Sequence, residues 1–329
     1  MVPALTSPDA DVPQSNCHQR RKLYILSDFH PESVKYAQSL FDCVLYGDPE
    51  GENWRSNATA ILIKDYTITA KDLDVAPQLC VIGKQGVGLE KVDVQACEER
   101  GVKVCNTPGI NASAVAEMTL CLALCVAREV PRLVMRQSMG EIIRKETVSG
   151  MLVGGKTVGI IGMGNIGRSV ARKFLNGFDT PIVTYDPFFP VDSPLWADIQ
   201  HNRVNNLEDI LELADILTVH VPLTPETKDL ISYRELQLMK RSAILLNTAR
   251  GGIVNEEDLT AALEQDLIWG AGFDCHIQEP PTKTKYARLW NCARFVGTPH
   301  IAAATDETQI ATINAAIDGV FNFFQKIEP

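Results

Sequence analysis

The sequence has no stretch long and apolar enough to cross a bilayer. Its longest apolar run, residues 112–127, is interrupted by Glu117 and falls short of the roughly 20 residues that a spanning helix needs. Positive charge is not in excess either: the formal net charge of −10 excludes a general nucleic-acid or anionic-membrane surface. Small anions must then be captured by local groups. The nine cysteines are odd in number and contain no CxxC pair, which excludes a complete disulfide framework. Most of them lie in apolar runs, as Cys80 does beside Val81 and Ile82, where a free thiol behaves as a small hydrophobe. That usage fits a reducing compartment. Cys121 and Cys125 share a helix face, but no second ligand pair lies near them, so no metal site is expected. No secretory apolar core opens the chain, and Asp9 and Asp11 argue against a mitochondrial leader. The expectation is a cytoplasmic protein without nucleic-acid or membrane partners.

The chain is organised around residues 157–186, TVGIIGMGNIGRSVARKFLNGFDTPIVTYD. An apolar run, Val158, Ile160 and Ile161, reads as a buried strand. A glycine turn follows, and then Val170, Ala171, Phe174 and Leu175 recur at helical spacing before a second apolar run ends at Asp186. Strand, glycine turn, helix, strand and terminal acid form the context that a dinucleotide fingerprint requires. Gly162 allows the tight turn, Gly164 lets backbone approach a pyrophosphate, and Gly167 lets the helix pack on the strand. Phosphates would rest on the helix N-terminus near Ile166. Asp186 would accept hydrogen bonds from a ribose diol, and no arginine follows at once to meet a 2′-phosphate, so NAD is favoured over NADP.

At 329 residues two domains are expected. Residues 1–21 read as a flexible arm rich in Pro, Ser, Asp and Gln, with Arg20-Arg21-Lys22 leading into the first strand. Short apolar runs at 23–26, 60–63, 79–82 and 102–105 then alternate with helical stretches such as 33–40 and 91–100. After a helix over 113–128, six strands are predicted at 157–161, 182–185, 216–220, 243–247, 270–273 and 294–296. Intervening helices fall at 207–213, 233–239 and 256–264. A last helix over 307–324 has apolar residues at helical spacing and no further strand to serve, so it is expected to return to the first domain. The fold class is α/β: two doubly wound parallel-sheet domains, the larger a Rossmann-type NAD-binding domain inserted into the smaller. The expected division is 22–111 with 298–329 for a substrate domain and 112–297 for the nucleotide domain. A substrate cleft between them is the corresponding expectation.

Functional groups of open α/β sheets collect beyond the carboxyl ends of strands. Just past three successive predicted strands stand Arg250, Glu279 and His300. Reduction of a ketone leaves an alkoxide that needs a proton, and histidine is suited to give it near neutrality. A carboxylate stabilises the imidazolium and fixes its tautomer. An arginine can grip a substrate carboxylate and polarise the carbonyl. His220, at another strand end in His220-Val221-Pro222, reads as a wall of the nucleotide site, and His276 as a local hydrogen-bonding residue.

These segments resemble the D-isomer-specific 2-hydroxyacid dehydrogenases over nearly all of residues 23–327. The resemblance is carried by residues 86–93 (GVGLEKVD), 106–111 (NTPGIN) with 114–117 (AVAE), the Gly162 loop, and residues 247–252, 274–280 and 298–302. It implies that Arg250, Glu279 and His300 are catalytic and that NAD lies near Gly162, Gly164, Asn165, Ile166, Gly167, Asp186, His220, Pro222, Thr248, Ala249, Asp274, Ala302 and Ala303. It further implies that Gly86, Val87 and Gly88 bind the substrate carboxylate. Lys64 and Lys84 fall where phosphoglycerate dehydrogenases carry arginines facing the substrate phosphate, which keeps the charge but not the planar fork. The implied substrates are 3-phosphohydroxypyruvate or 3-phosphoglycerate, hydroxypyruvate and glyoxylate. Glu279 stands where formate dehydrogenases carry Gln, which disfavours formate. A homodimer is implied through the helix from Ser113 and the segment leading to Gly155, although residues 138–150 depart from the family's tryptophan-containing stretch. The chain ends soon after its last helix, so no regulatory domain is expected. The alternative function is an NADH-sensing binding module of the C-terminal-binding-protein corepressor type, which resembles the same family.

Overall fold

The computed structural model describes residues 20–327. The chain divides into two compact units, one running to Asn106 and resuming at Ile313, the other Thr107–Thr312. The first unit holds a five-stranded parallel sheet of β1 (Lys22–Ile25), β2 (Asp42–Val44), β3 (Ala60–Ile63), β4 (Val81–Lys84) and β5 (Lys103–Cys105), ordered β2-β1-β3-β4-β5. The second holds seven parallel strands: β6 (Val158–Ile161), β7 (Ile182–Tyr185), β8 (Asn202–Arg203), β9 (Ile216–Val219), β10 (Ile244–Asn247), β11 (Gly270–Phe273) and β12 (Phe295–Gly297). Their order is β12-β11-β10-β9-β6-β7-β8. Both orders reverse direction at an internal strand, the arrangement that places ligands at the carboxyl ends of strands on either side of the reversal. In the second sheet that reversal lies between β6 and β9.

The strands read as unbroken apolar runs because both faces of each sheet are covered. Neighbouring residues feed opposite cores: Ile160 packs with Val158, Ile182 and Leu246, whereas Ile161 packs with Val183, Leu217 and Leu245. The same period of two separates Tyr24, Ile61 and Ile82 from Leu23, Ile25 and Leu62 in the first sheet.

The last helix spans Asp306–Ile327, and its Ile313, Ala316, Ile317, Val320 and Phe324 complete the core of the first unit. The Rossmann-type unit is thereby inserted into the smaller one. The division falls at Asn106 and Thr312, not at 111 and 298 as expected. The physical reason is local: residues 298–302 are hydrogen bonded to Asp274, so they stay with the nucleotide unit.

Several elements differ from the sequence expectation. β2 and β8 are additional, the second sheet has seven strands where six were predicted, and helices form at Val130–Ser138 and Lys283–Trp290. β8 is two polar residues paired with Val183 and Thr184 at the sheet edge, so it carries no apolar alternation to detect. β4 begins and ends two residues later than predicted, because Lys84 continues the strand with its side chain buried and its Nζ donating to the Gln85 carbonyl at 2.6 Å. Of the expected N-terminal arm, residues 1–19 lie outside the described residues. Arg20 donates to the Gln38 carbonyl, Arg21 stands over the Phe324 ring, and Lys22 opens β1 while pairing with Glu50. Among the described residues, no helix is long and apolar enough to cross a membrane.

Gly83 is what lets the last helix approach the first sheet. A Cβ there would lie 2.8 Å from Val320 Cγ2, 2.9 Å from Leu62 Cδ1 and 3.1 Å from the Ala316 carbonyl oxygen. Gly83→Val should therefore destabilise the protein by roughly 1–3 kcal/mol, the usual effect of overpacking a close-packed core. Urea denaturation of the two proteins measures it; an unchanged midpoint would show that the helix is free to shift.

Candidate functional site

The glycine turn follows β6 and leads into the helix Asn165–Phe178. Gly162 has φ +101°, and a Cβ there would lie 2.6 Å from the His220 carbonyl oxygen. A Cβ on Gly167 would lie 2.1 Å from the Gly162 carbonyl oxygen, so helix and strand touch through backbone alone. Gly164 is different. A Cβ there would meet nothing within 4 Å, and Gly164, as N-cap, offers no side chain to the amides of the first turn. Open space in front of uncapped N–H groups is what a pyrophosphate needs, so these residues fit a dinucleotide.

Asp186, just past β7, closes the far side of the turn. Its Oδ2 accepts from Met163 N at 2.8 Å and its Oδ1 from Phe188 N and Phe189 N. Arg203 arrives from β8 and donates to the carbonyls of Asp186 at 2.5 Å and Phe189 at 2.7 Å. No local sequence signal joins Arg203 to this turn. Beside it opens a cavity of about 250 Å³ lined in part by Met163, Phe189, Trp196, His201 and Arg203. His220, past β9, bonds Thr218 through Nε2 at 2.9 Å, and burial pushes its pKa down to about 3, so the ring is neutral. Asn165 and Pro222 are exposed and Ile166 and Ala303 half-buried, whereas Ala249 and Ala302 are buried. The Thr248 hydroxyl is also buried, 3.0 Å from that of Thr119.

Past β10, β11 and β12, three adjacent strands, come Arg250, Glu279 and His300. His300 Nδ1 and Glu279 Oε2 are 2.8 Å apart. Burial opposes the charge on Glu279, but the hydrogen bond and attraction from His300, with the His276 N–H, hold its carboxyl below the usual range. His300 is pushed up to about 10 by its contact with Cys275 and its hydrogen bond with Glu279. Burial raises the Cys275 thiol, which is therefore neutral near pH 7, so the lasting negative partner of His300 is Glu279. Arg250 donates from Nη1 to the Ala249 carbonyl at 2.7 Å.

Each of these groups stands on a turn fixed by a buried polar side chain. Asn247, fully buried, donates to the Arg250 carbonyl at 2.8 Å and accepts from Ala249 N at 3.1 Å. Gly251 abuts the next turn so closely that a Cβ would lie 2.0 Å from the His276 carbonyl carbon. Glu256 accepts from Ile277 N at 2.8 Å and Tyr286 Oη from Gln278 N at 2.9 Å, which anchors the segment carrying Glu279. Asp274, also fully buried, accepts from Thr298 Oγ1 at 2.6 Å, Ile301 N at 2.9 Å and Ala302 N at 2.9 Å. Its own carbonyl accepts from His300 N at 2.7 Å. So braced, His300 adopts φ +57°, a left-handed conformation uncommon for a side-chain-bearing residue. Asn247, Glu256 and Tyr286 were not among the sequence candidates; nothing in the sequence separates Glu256 from the acids that follow it in the first turn of its helix. His276 is a correction, since neither ring nitrogen has a hydrogen-bond partner and the ring packs edge-on against Phe273 and Tyr286.

In the first unit, Ile63 of β3 pairs with Lys84 of β4, so Lys64, just past β3, and Lys84, the last residue of β4, stand side by side at the carboxyl edge of that sheet. Gly86 has φ +92°, and the Val87 carbonyl accepts from Asn106 Nδ2 at 2.8 Å in the turn containing Gly86, Val87 and Gly88.

Two outcomes follow for this site. Gly164→Val should leave the unfolding midpoint unchanged but weaken NADH binding at least roughly tenfold, measured by fluorescence titration, because the new side chain fills only the space in front of the helix amides. Asp274→Ala leaves one buried and two part-buried donors without their acceptor and should cost on the order of 2–3 kcal/mol in urea denaturation. Retained wild-type stability would show that the loop bearing His300 is held by something else.

A model of the D-isomer specific 2-hydroxyacid dehydrogenase NAD-binding domain matches residues 120–302. D-3-phosphoglycerate dehydrogenase of Methanocaldococcus jannaschii is 36% identical over 294 residues, 88% of this chain and 55% of that protein. Hydroxypyruvate reductase of Thermotoga maritima is 37% identical over 243 residues, 74% of this chain and 76% of that protein. A crystal structure of a Thermus thermophilus protein superposes with a TM-score of 0.83 at 31% identity, covering 94% of this chain and 98% of that one. This chain spans about half the length of the phosphoglycerate dehydrogenases it matches. The glycine turn, the sheet order and the likeness of the whole sequence agree: this chain belongs to the D-isomer specific 2-hydroxyacid dehydrogenase family and carries its NAD-binding domain.

Proposed function

We propose that the chain is an NAD-dependent oxidoreductase that interconverts a small 2-oxo acid and its D-2-hydroxy acid. The observation that carries this reading is the His300–Glu279 pair, 2.8 Å apart, in a row of three adjacent strand ends that Arg250 completes. Bound NAD supplies the hydride acceptor, and NADH the donor. In the direction of reduction, protonated His300 gives its proton to the oxygen that becomes the hydroxyl. Glu279 stabilises the imidazolium beforehand and fixes the ring through Nδ1, leaving Nε2 to face the substrate. Arg250 holds the substrate carboxylate with its planar donors and polarises the adjacent carbonyl. In oxidation, neutral His300 takes the hydroxyl proton.

The cofactor contacts proposed are Gly162, Gly164, Asn165, Ile166 and Gly167 for the pyrophosphate and Asp186 for the ribose. His220, Pro222, Thr248, Ala249, Asp274, Ala302 and Ala303 would shape the rest of the site. Asp274 acts there mainly through the loop it braces. Lys64, Lys84 and the backbone of Gly86, Val87 and Gly88 are proposed contacts to substrate anions. Relatives named for phosphoglycerate and hydroxypyruvate support 3-phosphohydroxypyruvate or 3-phosphoglycerate and hydroxypyruvate as the substrates to test, with glyoxylate beside them. A homodimer is supported by the exposed Val130, Val134, Met135, Met139 and Ile142. A cytoplasmic location is supported by the absence of disulfides among the described cysteines.

Steady-state assays of 2-oxo acids with NADH test the reading. His300→Ala should lower turnover by roughly 10²–10⁴-fold; unchanged turnover would remove His300 from the chemistry. A raised His300 pKa favours the protonated form, so reduction should hold through neutral pH and decline only at alkaline pH. Glu279→Gln removes the charge that keeps the proton on, and should move that decline to lower pH.

A further inference from the structure

Behind the catalytic pair lies a third group that the proposed reaction does not use. Cys275, the residue after the bracing Asp274, is buried with 1% exposure. One donor atom each from Cys275, Glu279 and His300 lie within 4.8 Å of one another. Sulfur, carboxylate oxygen and imidazole nitrogen are the three donor types that zinc takes, in a tetrahedron whose ligand atoms are about 3.3–3.6 Å apart. The oxygen–nitrogen pair at 2.8 Å is already closer than that, so an ion entering between them parts these two atoms while the sulfur closes on it.

We propose that Cys275, Glu279 and His300 form a three-ligand site for a thiophilic divalent cation of the Zn²⁺ type, and that its occupancy switches the enzyme off. The charges balance: a thiolate and a carboxylate offset the two positive charges of the ion, and the imidazole binds neutral. Binding displaces the thiol proton of Cys275 and the ring proton of His300 to solvent. The side chains of His300 and Glu279 are 43% and 35% exposed, so the ion enters from that side and its fourth position faces solvent. The ligands are held in place before the ion arrives. Asp274 and the Gly251 contact fix the backbone on either side of Cys275, and His276 N donates to Glu279 Oε1 at 3.1 Å. An occupied site takes the Nδ1 that pairs with Glu279 and leaves the ring neutral, so its Nε2–H is a far weaker acid than the imidazolium that the reduction uses. Metal binding is independent of the proposed function; the loss of turnover rests on it.

The test uses the whole protein and the metal alone. Co²⁺ added to the metal-free protein should give a sulfur-to-metal charge-transfer band in the near ultraviolet and tetrahedral visible bands, both displaced by Zn²⁺. Cys275→Ala should abolish the band. Turnover of the parent protein should fall with Zn²⁺ and recover with a chelator, and Cys275→Ala should keep its turnover while needing at least roughly tenfold more Zn²⁺ for the same inhibition. Cys275→Ser serves if the alanine variant does not fold, and Cys121→Ala excludes the exposed thiol of the neighbouring helix as the sulfur source. A cobalt spectrum without a sulfur band overturns the site, as does a band that survives in the Cys275 variant. Zinc sensitivity unchanged in that variant overturns the switch. A protein that shows the sulfur band but reduces no 2-oxo acid retains the metal site and loses the proposed function.

Discussion

The carboxylate of Asp274 is the interaction on which the geometry of the His300–Glu279 pair depends. It is wholly buried, and its oxygens accept from a hydroxyl and two backbone amides of residues 298–302. A buried carboxylate is costly unless its lone pairs are used. Here the atoms that use them belong to the loop carrying His300, so the solvation of the acid and the placement of the base are one problem. The same bracing holds His300 at a positive φ that the residue would rarely adopt alone.

Around that anchor the second unit repeats one device. A polar side chain from another element or the strand's own end binds the backbone of a turn: buried Asn247 that of Arg250, buried Glu256 and Tyr286, both from helices, the segment of Glu279, and half-buried Asp186 the glycine turn. Arg250, Glu279 and His300, the residues proposed to do chemistry, are thus left with their backbones fixed. Electrostatics then divides the histidines. His220 and His276 lose charge to burial, whereas His300 keeps it beside Glu279. Three imidazoles of one unit therefore have two different roles, set by their neighbours.

The site was legible to the extent that it depends on backbone and strand ends. Gly162, Gly164 and Gly167 announce a turn that nothing larger could make, and Arg250, Glu279 and His300 follow strands whose apolar runs are plain. The positioning residues were not legible. Asn247 looks like an ordinary polar strand end, Asp274 stands out only as a cofactor neighbour through the family resemblance, and Glu256 looks like its neighbours Glu257 and Asp258; only burial in the fold shows which turns they brace. Cys275 reads as a small hydrophobe by position, and its approach to His300 and Glu279 depends on the turn between β11 and the helix Lys283–Trp290.

By itself the sequence determined the two parallel sheets, the dinucleotide turn and the return of the last helix, because apolar runs buried on both faces and helical periodicity are local properties of the chain. Tertiary structure alone decided the order of strands, the polar edge strand β8 that delivers Arg203 to Asp186, the position of the division at Thr312, and which buried side chains grip which turns. Those features depend on hydrogen bonds between residues tens of positions apart, such as Asp274 with Ile301 and Glu256 with Ile277, and a linear pattern carries no record of such partners.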